Sequence, residues 1–139
     1  MNAIVSSADR ATPSMVRLAT LDDIDALVRL EERCFALDRL SRRSFRHLLT
    51  RGHGEILVYD QGGTLYGYVM LLFRRGTPLA RLYSIAIDPA TRGRGLGELL
   101  VREAERRALA NEASLMRLEI RKDNVASLGM FRKLGYKSF

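Results

Sequence analysis

The sequence predicts one α/β domain built on a mixed β-sheet, and three observations support this. The length of 139 residues falls within the range of a single domain. The composition, 47% hydrophobic and 28% charged, is that of a globular chain rather than a disordered one. Segments with strand patterning alternate with segments of helical spacing, so strands joined by short turns should be antiparallel and strands joined by a helix should be parallel.

The chain is predicted to begin with a flexible leader at 1–14, because those residues are small and polar, and residues 15–139 then form the single domain. Thr20 and Ser41 precede two apolar-periodic segments as N-caps, and Gly135 is placed to end a helix. The predicted elements are a strand at 16–19, helices at 21–36 and 41–52, strands at 56–59, 65–73 and 81–87, a helix at 96–111, a strand at 115–121, a helix at 124–134 and the beginning of a last strand at 136–139. Gln-Gly-Gly at 61–63 is predicted as the turn of a hairpin between the strands at 56–59 and 65–73.

Cysteine and histidine are too few for a disulfide or a metal site. Cys34 is the only cysteine, which excludes an internal disulfide and indicates a reducing compartment. His47 and His53 lack the spacing of metal ligands, so no metal is expected. No apolar run approaches the ~18 residues of a membrane span, and residues 1–13 lack the apolar core of a signal peptide. We therefore expect a cytoplasmic protein that does not associate with membranes.

The net charge of +7 indicates an anionic partner without identifying it. Five arginines in and just before the second predicted helix could form a strip for RNA or an acidic peptide. They are Arg39, Arg42, Arg43, Arg46 and Arg51. A solvated helix face explains them better, because no aromatic platform for bases accompanies them. Nucleic acid is therefore not an expected partner.

The most informative segment is a glycine-rich turn at residues 92–97, Arg-Gly-Arg-Gly-Leu-Gly, between a predicted strand and a predicted helix. A helix N-terminus carries unpaired N–H groups and the positive end of the helix dipole, so it favours phosphate. Glycine lets a ligand approach the backbone closely. A turn that merely relieves strain would not need three alternate glycines with two arginines. The segment therefore predicts a pyrophosphate-binding cradle.

Two other nucleotide-binding motifs fit this turn less well. In a Rossmann fingerprint the third glycine would fall at Glu98, although Glu119 lies at a suitable distance for the ribose-binding acid. Four residues also separate Asp88 from Gly93, and an antiparallel hairpin precedes the strand. A P-loop would require Gly-Lys-Ser/Thr after the turn, and that sequence does not follow.

Arg92, Gly95 and Gly97 match in register the Arg/Gln-x-x-Gly-x-Gly/Ala signature for acetyl-CoA of the GNAT superfamily of N-acetyltransferases, which the chain resembles. Residues 83–89, Tyr-Ser-Ile-Ala-Ile-Asp-Pro, look like the fourth strand of that family, which diverges from the fifth and pairs with the pantetheine arm. The resemblance implies a GNAT-like mixed sheet with an antiparallel N-terminal part, splayed parallel central strands and helices on both faces. It extends from about residue 16 to the end of the chain.

The C-terminal part resembles the ribosomal-protein alanine N-acetyltransferase branch, through Leu-Glu-Ile-Arg at 118–121 and Leu-Gly-Tyr at 134–136. Members of that branch act on protein N-terminal amines, with acetyl-CoA as cosubstrate. The resemblance implies cofactor contacts from Ile85, Ala86, Ile87, Arg92, Gly93, Arg94, Gly95, Leu96, Gly97, Glu98 and Asn124. Asn124 could equally serve as the N-cap of the last helix.

The same resemblance implies Glu119 as the general base, acting directly or through water. A position within a strand, between Leu118 and Ile120, would allow burial and a raised pKa. Without the resemblance, a structural pairing of Glu119 with Arg117 or Arg121 would be the preferred interpretation.

Phe131 marks a departure from the related enzymes, which carry a tyrosine twelve residues after the glutamate as the acid for the leaving thiolate. Phenylalanine cannot donate a proton, so Tyr136, Tyr83 or water would have to substitute. Phe35 and Tyr83 are the residues expected at the acceptor site, although Phe35 also continues the apolar face of the first helix.

A second departure concerns the end of the chain, because the family inserts a seventh strand between the fifth and sixth. No residues remain after Phe139 to form it. We therefore expect a domain that is truncated at its C-terminus and lacks its final strand, that receives this strand from a partner, or that is a fragment of a longer protein. The open sheet edge this leaves would permit a homodimer.

The expected function is acetyl transfer to a primary amine, with a protein N-terminal α-amine as the preferred acceptor. An α-amino group has a pKa near ~8 and a lysine side chain near ~10.4, so the former needs less help to lose its proton. Lysine or a small-molecule amine are alternative acceptors. A catalytically weak acyl-CoA binding module is the alternative function.

Overall fold

The computed structural model describes residues 2–4, 15–119 and 125–137. The strands in this part of the chain are β1 (Asn2–Ile4), β2 (Val16–Leu18), β3 (Gly54–Gln61), β4 (Thr64–Phe73), β5 (Leu79–Ile87) and β6 (Leu115–Leu118). The α-helices are α1 (Ile24–Cys34), α2 (Arg42–Arg51), α3 (Leu96–Ala110) and α4 (Val125–Lys133), with short 3-10 helices at Leu21–Asp23 and Pro89–Thr91.

The six strands form one mixed sheet in the order β1-β6-β5-β4-β3-β2. The neighbours from β2 to β5 are antiparallel, and the hairpin between β3 and β4 turns at Gly62 and Gly63 as predicted. β5 and β6 are parallel, since α3 carries the chain between them. The predicted α/β class with a mixed sheet is confirmed.

Helices cover both faces of the sheet, each over its own hydrophobic cluster. On one face α1 and α2 bury Leu27 and Phe45 against β3 and β4. On the other face α3 and α4 bury Leu100 and Phe131 against β4, β5 and β6. The alternation of side chains along each strand divides the apolar residues between these two clusters.

The central parallel strands separate along their length. β5 pairs with β6 only from Leu79 to Leu82, while its remainder as far as Ile87 pairs with β4 alone. Tyr83 has no partner on β4, because Met70 opposes Ser84 and Leu71 opposes Leu82, so a bulge kinks β5 at the point of divergence. The splayed central strands expected from the resemblance are present.

Several boundaries differ from the predictions. The predicted flexible leader includes β1, which pairs antiparallel with β6 through Ala3 and Met116. β1 thereby becomes the antiparallel neighbour of β6 on the side away from β5. β6 ends at Leu118 instead of continuing to residue 121. Of the predicted last strand, Lys137 forms an isolated β-bridge, and residues 138 and 139 lie outside the described residues.

Among the helices in the described ranges, none is long and apolar enough to cross a membrane.

Candidate active site

A groove of about 590 Å³ opens where β5 ends and α3 begins. The chain leaves β5 at Asp88, whose buried carboxylate accepts hydrogen bonds from Arg33 (Nε to Oδ2, 3.0 Å) and from the backbone N–H of Ala90 (2.9 Å). Thr91 donates from Oγ1 to the carbonyl oxygen of Asp88 at 3.0 Å. These bonds fix a compact 3-10 turn and direct the chain into the glycine-rich segment.

Gly93 and Gly95 adopt left-handed backbone conformations, with φ of +83° and +79°. A Cβ atom added to either residue would meet no other heavy atom within 4 Å, so the space beside the turn is open. Gly95 is also the N-cap residue of α3. The first N–H groups of α3 have no partner within the helix, and the residues that carry them, Leu96, Gly97 and Glu98, line the groove.

Most of the predicted cofactor residues line this one groove, namely residues 85–87, 92, 93 and 95–98. Arg94 is exposed and does not line it. Asn124 lies outside the described residues. The arrangement offers an anion a helix N-terminus and an arginine, beside the unpaired edge of β5. The residues therefore fit a ligand with phosphates at one end and an extended arm along the strand.

Gly97 serves a packing role in addition to lining the groove. A Cβ atom there would lie 3.1 Å from the Sδ atom of Met130 in α4. Glycine therefore lets α3 approach α4 closely. The alternate spacing of Gly93, Gly95 and Gly97 combines two backbone requirements with one packing requirement, which the sequence pattern did not separate.

Cys34, Thr91, Ser127 and Met130 also line the groove, and sequence reasoning did not identify them as site residues. Cys34 is the last residue of α1 and donates from Sγ to the carbonyl oxygen of Ile87 at 3.2 Å. Burial raises the pKa of the Cys34 thiol, so it remains protonated at neutral pH and acts as a weak donor. No motif signals Cys34, Ser127 or Met130, because α1 and α4 reach the groove only in the folded chain.

The prediction that Glu119 is buried within a strand is wrong. Glu119 follows the last residue of β6, and its side chain is 75% exposed. The last pair between β5 and β6 is Leu82 with Leu118. Glu119 comes directly after it, where the strands separate, so neither strand covers it. Arg81 of β5 forms an ion pair with it, at 3.4 Å between Nη2 and Oε1, which the sequence did not predict, and Arg121, one of the two arginines that the sequence favoured, lies outside the described residues.

Arg81, Tyr83 and Glu119 form a cluster on the sheet near the divergence of β5 and β6. The guanidinium carbon of Arg81 lies 5.3 Å from the centre of the Tyr83 ring while its Nη2 contacts Glu119. All three side chains are exposed. The cluster is open to an incoming polar group, although Tyr83 and Glu119 do not line the groove at the glycine turn.

Phe35 has both roles that the sequence offered for it. Its side chain packs against the cluster beneath α1 and α2, and it also lines the groove. Phe35 ends α1 with an extended backbone, at φ of −131°. It therefore forms part of the wall between the groove and the loop that leads to α2.

Phe131 and Tyr136 are both buried, so neither position offers an accessible proton donor for the thiolate. Their rings meet edge to face, with centroids 5.2 Å apart, and Phe131 is 1% exposed. Tyr136 donates its hydroxyl proton to Oε2 of Glu105 at 2.9 Å, and burial raises its pKa. The suggestion that Tyr136 could replace the missing tyrosine acid is therefore not supported by the structure.

A buried polar network holds the groove side of β5. Glu31 of α1 is 1% exposed and accepts from the backbone N–H of Leu40 at 2.6 Å and from the Tyr68 hydroxyl at 2.8 Å. The Tyr68 oxygen is also 2.8 Å from Oγ of Ser84, next to the bulge. Because each of these groups would be costly to bury alone, the network ties α1, β4 and β5 together.

No cluster of three or more His, Cys, Asp or Glu side chains able to hold a metal ion occurs among the described residues.

The model of the acetyltransferase (GNAT) family matches residues 22–136 of the chain. A Bacillus subtilis protein named as a [ribosomal protein bS18]-alanine N-acetyltransferase is 31% identical over 124 residues, which cover 89% of this chain and 81% of the relative. The N-alpha-acetyltransferase RimI of Mycobacterium tuberculosis is 30% identical over 128 residues, covering 90% of this chain and 79% of the relative.

Solved structures share the fold at lower sequence identity. The ribosomal-protein-S18-alanine N-acetyltransferase from Escherichia coli superposes with a TM-score of 0.80 at 20% identity, covering 100% of this chain and 79% of that one. The PaiA N-acetyltransferase from Thermoplasma acidophilum, in complex with coenzyme A, gives a TM-score of 0.78 at 16% identity, covering 89% of each chain. The extent of the family match, together with the groove at the glycine turn, establishes that this chain belongs to the GNAT family of acetyltransferases.

Proposed function

We propose that the protein transfers the acetyl group of acetyl-CoA to the N-terminal α-amine of a protein. The observation that supports this most is the groove at the end of β5, where open glycine backbone and the N-terminus of α3 lie beside an unpaired strand edge. That combination suits a pyrophosphate joined to an extended acyl arm. The family and two relatives with N-acetyltransferase names support the reaction type.

In this proposal the turn binds the diphosphate through backbone N–H groups. Those of residues 93–98 are the candidates, since Gly93 and Gly95 leave room for phosphate oxygens and Arg92 adds charge. The acyl arm would run along the free edge of β5 past Ile87 and Ile85. Backbone N–H groups near Ile85 would then stabilise the negative charge that develops on the thioester oxygen.

The acceptor is proposed to be an α-amine because its pKa near ~8 leaves a substantial neutral fraction at pH 7. Relatives named for the alanine of a ribosomal protein or for N-alpha acetylation agree with this choice. Phe35 would contact the acceptor from the groove wall, and Tyr83 from the neighbouring cluster. Lysine and small-molecule amines would need stronger deprotonation or a more enclosed pocket.

Glu119 is proposed as the general base, acting through water since it is exposed. The neutral amine nitrogen attacks the thioester carbonyl carbon, and the carbon–sulfur bond breaks as the amide forms. The proton of the nitrogen passes to water and Glu119, and the sulfur leaves as thiolate. Arg81 would orient the Glu119 carboxylate.

The chain lacks the tyrosine that the resemblance implies as the acid for the leaving thiolate. Phe131 is buried and cannot donate a proton. With a thiol pKa near ~8.5, expelling an unprotonated thiolate at pH 7 costs roughly 2 kcal/mol. This feature favours, as a second candidate, a binding module that holds acyl-CoA and turns over slowly.

The proposal is tested by following thiol release from acetyl-CoA with a panel of peptides that differ in their N-terminal residue. We expect release with a free N-terminal alanine and none after the same peptide is N-terminally blocked, even when it contains lysine. Acetyl-CoA binding by calorimetry without release on any peptide would support the slow binding module instead. Release with the blocked, lysine-containing peptide would overturn the choice of an α-amine.

A further inference from the structure

One face of α2 carries only basic and hydroxyl side chains. Arg43, Arg46, His47 and Arg51 are exposed along it. Arg43 is three residues from Arg46 and four from His47, and His47 is four from Arg51, so these neighbours follow one side of the helix. The opposite side is buried through Phe45 and other apolar residues. The helix thus presents a continuous row of cationic and titratable groups about 12 Å long, at 1.5 Å per residue.

The exposed face of α3, another amphipathic helix, differs from the face of α2. In α3 arginines alternate with glutamates and pair with them, as Arg102 does with Glu105 at 2.8 Å and Arg106 with Glu103 at 3.5 Å. α2 contains no acidic residue. Among the described residues Arg43, Arg46 and Arg51 make no ion pair. Only three of the 23 basic residues are lysines. This bias explains why α2 carries arginine in place of lysine, but it does not explain why α2 has no acidic residue.

The arrangement is unfavourable for the isolated fold. Arginines in the first turns of a helix oppose the positive end of its dipole, and like charges three or four residues apart repel one another. Asp25 of α1 relieves this for Arg42, with which it forms an ion pair. Nothing described relieves it for Arg43 and Arg46. A face that is costly to the fold and unpaired within it is suited to an external polyanion.

The side chains of the face select among polyanions. Arginine binds phosphate with two parallel hydrogen bonds, and neighbouring positions on a helix are about 5–6 Å apart. The exposed face has no aromatic residue to stack on single-stranded bases and no apolar residue to anchor a protein interface or enter a membrane. A rigid row of phosphates fits these limits best.

We propose that this α2 face binds the phosphate backbone of double-stranded RNA and so docks the enzyme on an RNA–protein particle that carries its acceptor. The choice of RNA rests on the proposed function, because relatives are named for a ribosomal protein. The position of α2 agrees with it, since the helix follows the loop that begins at Phe35 in the groove wall. This revises the sequence-based preference for a merely solvated helix face.

The test measures binding of a fluorescently labelled RNA hairpin duplex by anisotropy over a range of salt concentrations. The variant replaces Arg43, Arg46 and Arg51 with glutamine, which has a similar helix propensity. We expect its affinity to fall by at least ~10-fold near 0.1 M salt and the slope of log affinity against log salt to decrease by about 2 to 3. Thermal unfolding should show a melting temperature unchanged or slightly raised.

The matched control removes the same charge elsewhere, with glutamine at Arg74, Arg75 and Arg132, all exposed. We expect this control to lose less than about 3-fold in affinity. An equal loss in both triple variants would overturn the proposal, since net charge alone would then explain binding. Affinity for anionic lipid vesicles or polyglutamate equal to that for the duplex would also overturn it.

Acetyl transfer to a short free peptide separates this proposal from the proposed function. The α2 variant should retain that activity, because none of its three altered residues lines the groove or joins the Glu119 cluster. Duplex binding that depends on α2, in a protein that acetylates no peptide, would keep the docking surface and reject the enzyme function. Peptide acetylation without duplex binding would reject only the docking surface.

Discussion

The groove at the glycine turn and the cluster around Glu119 are assembled from the chain in different ways. The groove takes most of its lining from one continuous stretch, residues 85–98, whose conformation is set by backbone requirements. The cluster joins Arg81 of β5 with Glu119, which follows β6. A site assembled from distant segments can change one member without affecting the others.

This difference shows that the two regions depend on different properties of the chain. The positive φ angles at Gly93 and Gly95 favour glycine there whatever the acceptor is. At the proposed reacting end, the proposed base Glu119 is exposed, and Phe131, where the resemblance implies a tyrosine acid, is buried. Binding of the cofactor and speed of transfer should therefore respond to separate sets of mutations.

The largest expected effect is on turnover, from Glu119→Gln. Loss of a general base should lower kcat by roughly 10²–10⁴-fold while leaving the affinity for acetyl-CoA unchanged. The loss should shrink as the pH rises above about 8, where the acceptor α-amine is already neutral. Stopped-time thiol release at several pH values measures it, with the exposed Glu32→Gln as control. A pH-independent loss would contradict the role of base.

Gly95→Asn should affect the groove at the glycine turn and leave the cluster around Glu119 unchanged. Asparagine tolerates a positive φ, so the fold should survive while the new side chain enters the cradle. Losing two charge-assisted hydrogen bonds to phosphate should raise the Kd for acetyl-CoA by about 100-fold or more. Calorimetry provides the measurement. Gly62→Asn, with φ of +63° in the hairpin turn and equally open surroundings, is the matched control. Unchanged affinity in the Gly95 variant would refute the cradle.

Phe131→Tyr tests whether the missing acid limits the rate. If thiolate release is limiting, a tyrosine hydroxyl that reaches the sulfur should raise kcat by as much as about 30-fold, the equivalent of the 2 kcal/mol penalty. The buried hydroxyl should also cost ~1–3 kcal/mol of folding stability where it lacks a partner. Phe45→Tyr adds a hydroxyl to the other buried cluster and should only destabilise. No rise in kcat would mean that water or another group already supplies the proton.

The smallest effect is expected from Arg81→Gln. An exposed ion pair is worth about 0.2–1 kcal/mol, so losing the contact to Glu119 should lower kcat about 2- to 5-fold. Because exposed pairs are screened, the difference from the wild type should disappear near 1 M salt. Arg29→Gln, exposed on α1, serves as the control for charge. A loss as large as that of Glu119→Gln would show that Arg81 itself contacts the reacting groups.

Much of the fold was predictable because its signals are short-ranged. Ser41 was predicted to cap a helix, and its hydroxyl oxygen accepts from the Ser44 N–H at 3.1 Å. The hairpin turn and the glycine turn were likewise predicted from adjacent residues. The pairing of β1 with β6 was not predicted, since Ala3 and Met116 are far apart in the chain and three residues carry no period.

The sequence alone determined the class of fold, the place of the cofactor groove and the family, since turn glycines, caps and apolar periods act on neighbouring residues. The tertiary structure decided the exposure and the partners of the side chains considered for the reaction. It placed Glu119 in solvent beside Arg81, and it committed the Tyr136 hydroxyl to Glu105. Exposure and pairing depend on which distant segments meet, and the divergence of β5 from β6 sets that for Glu119 without any local signal.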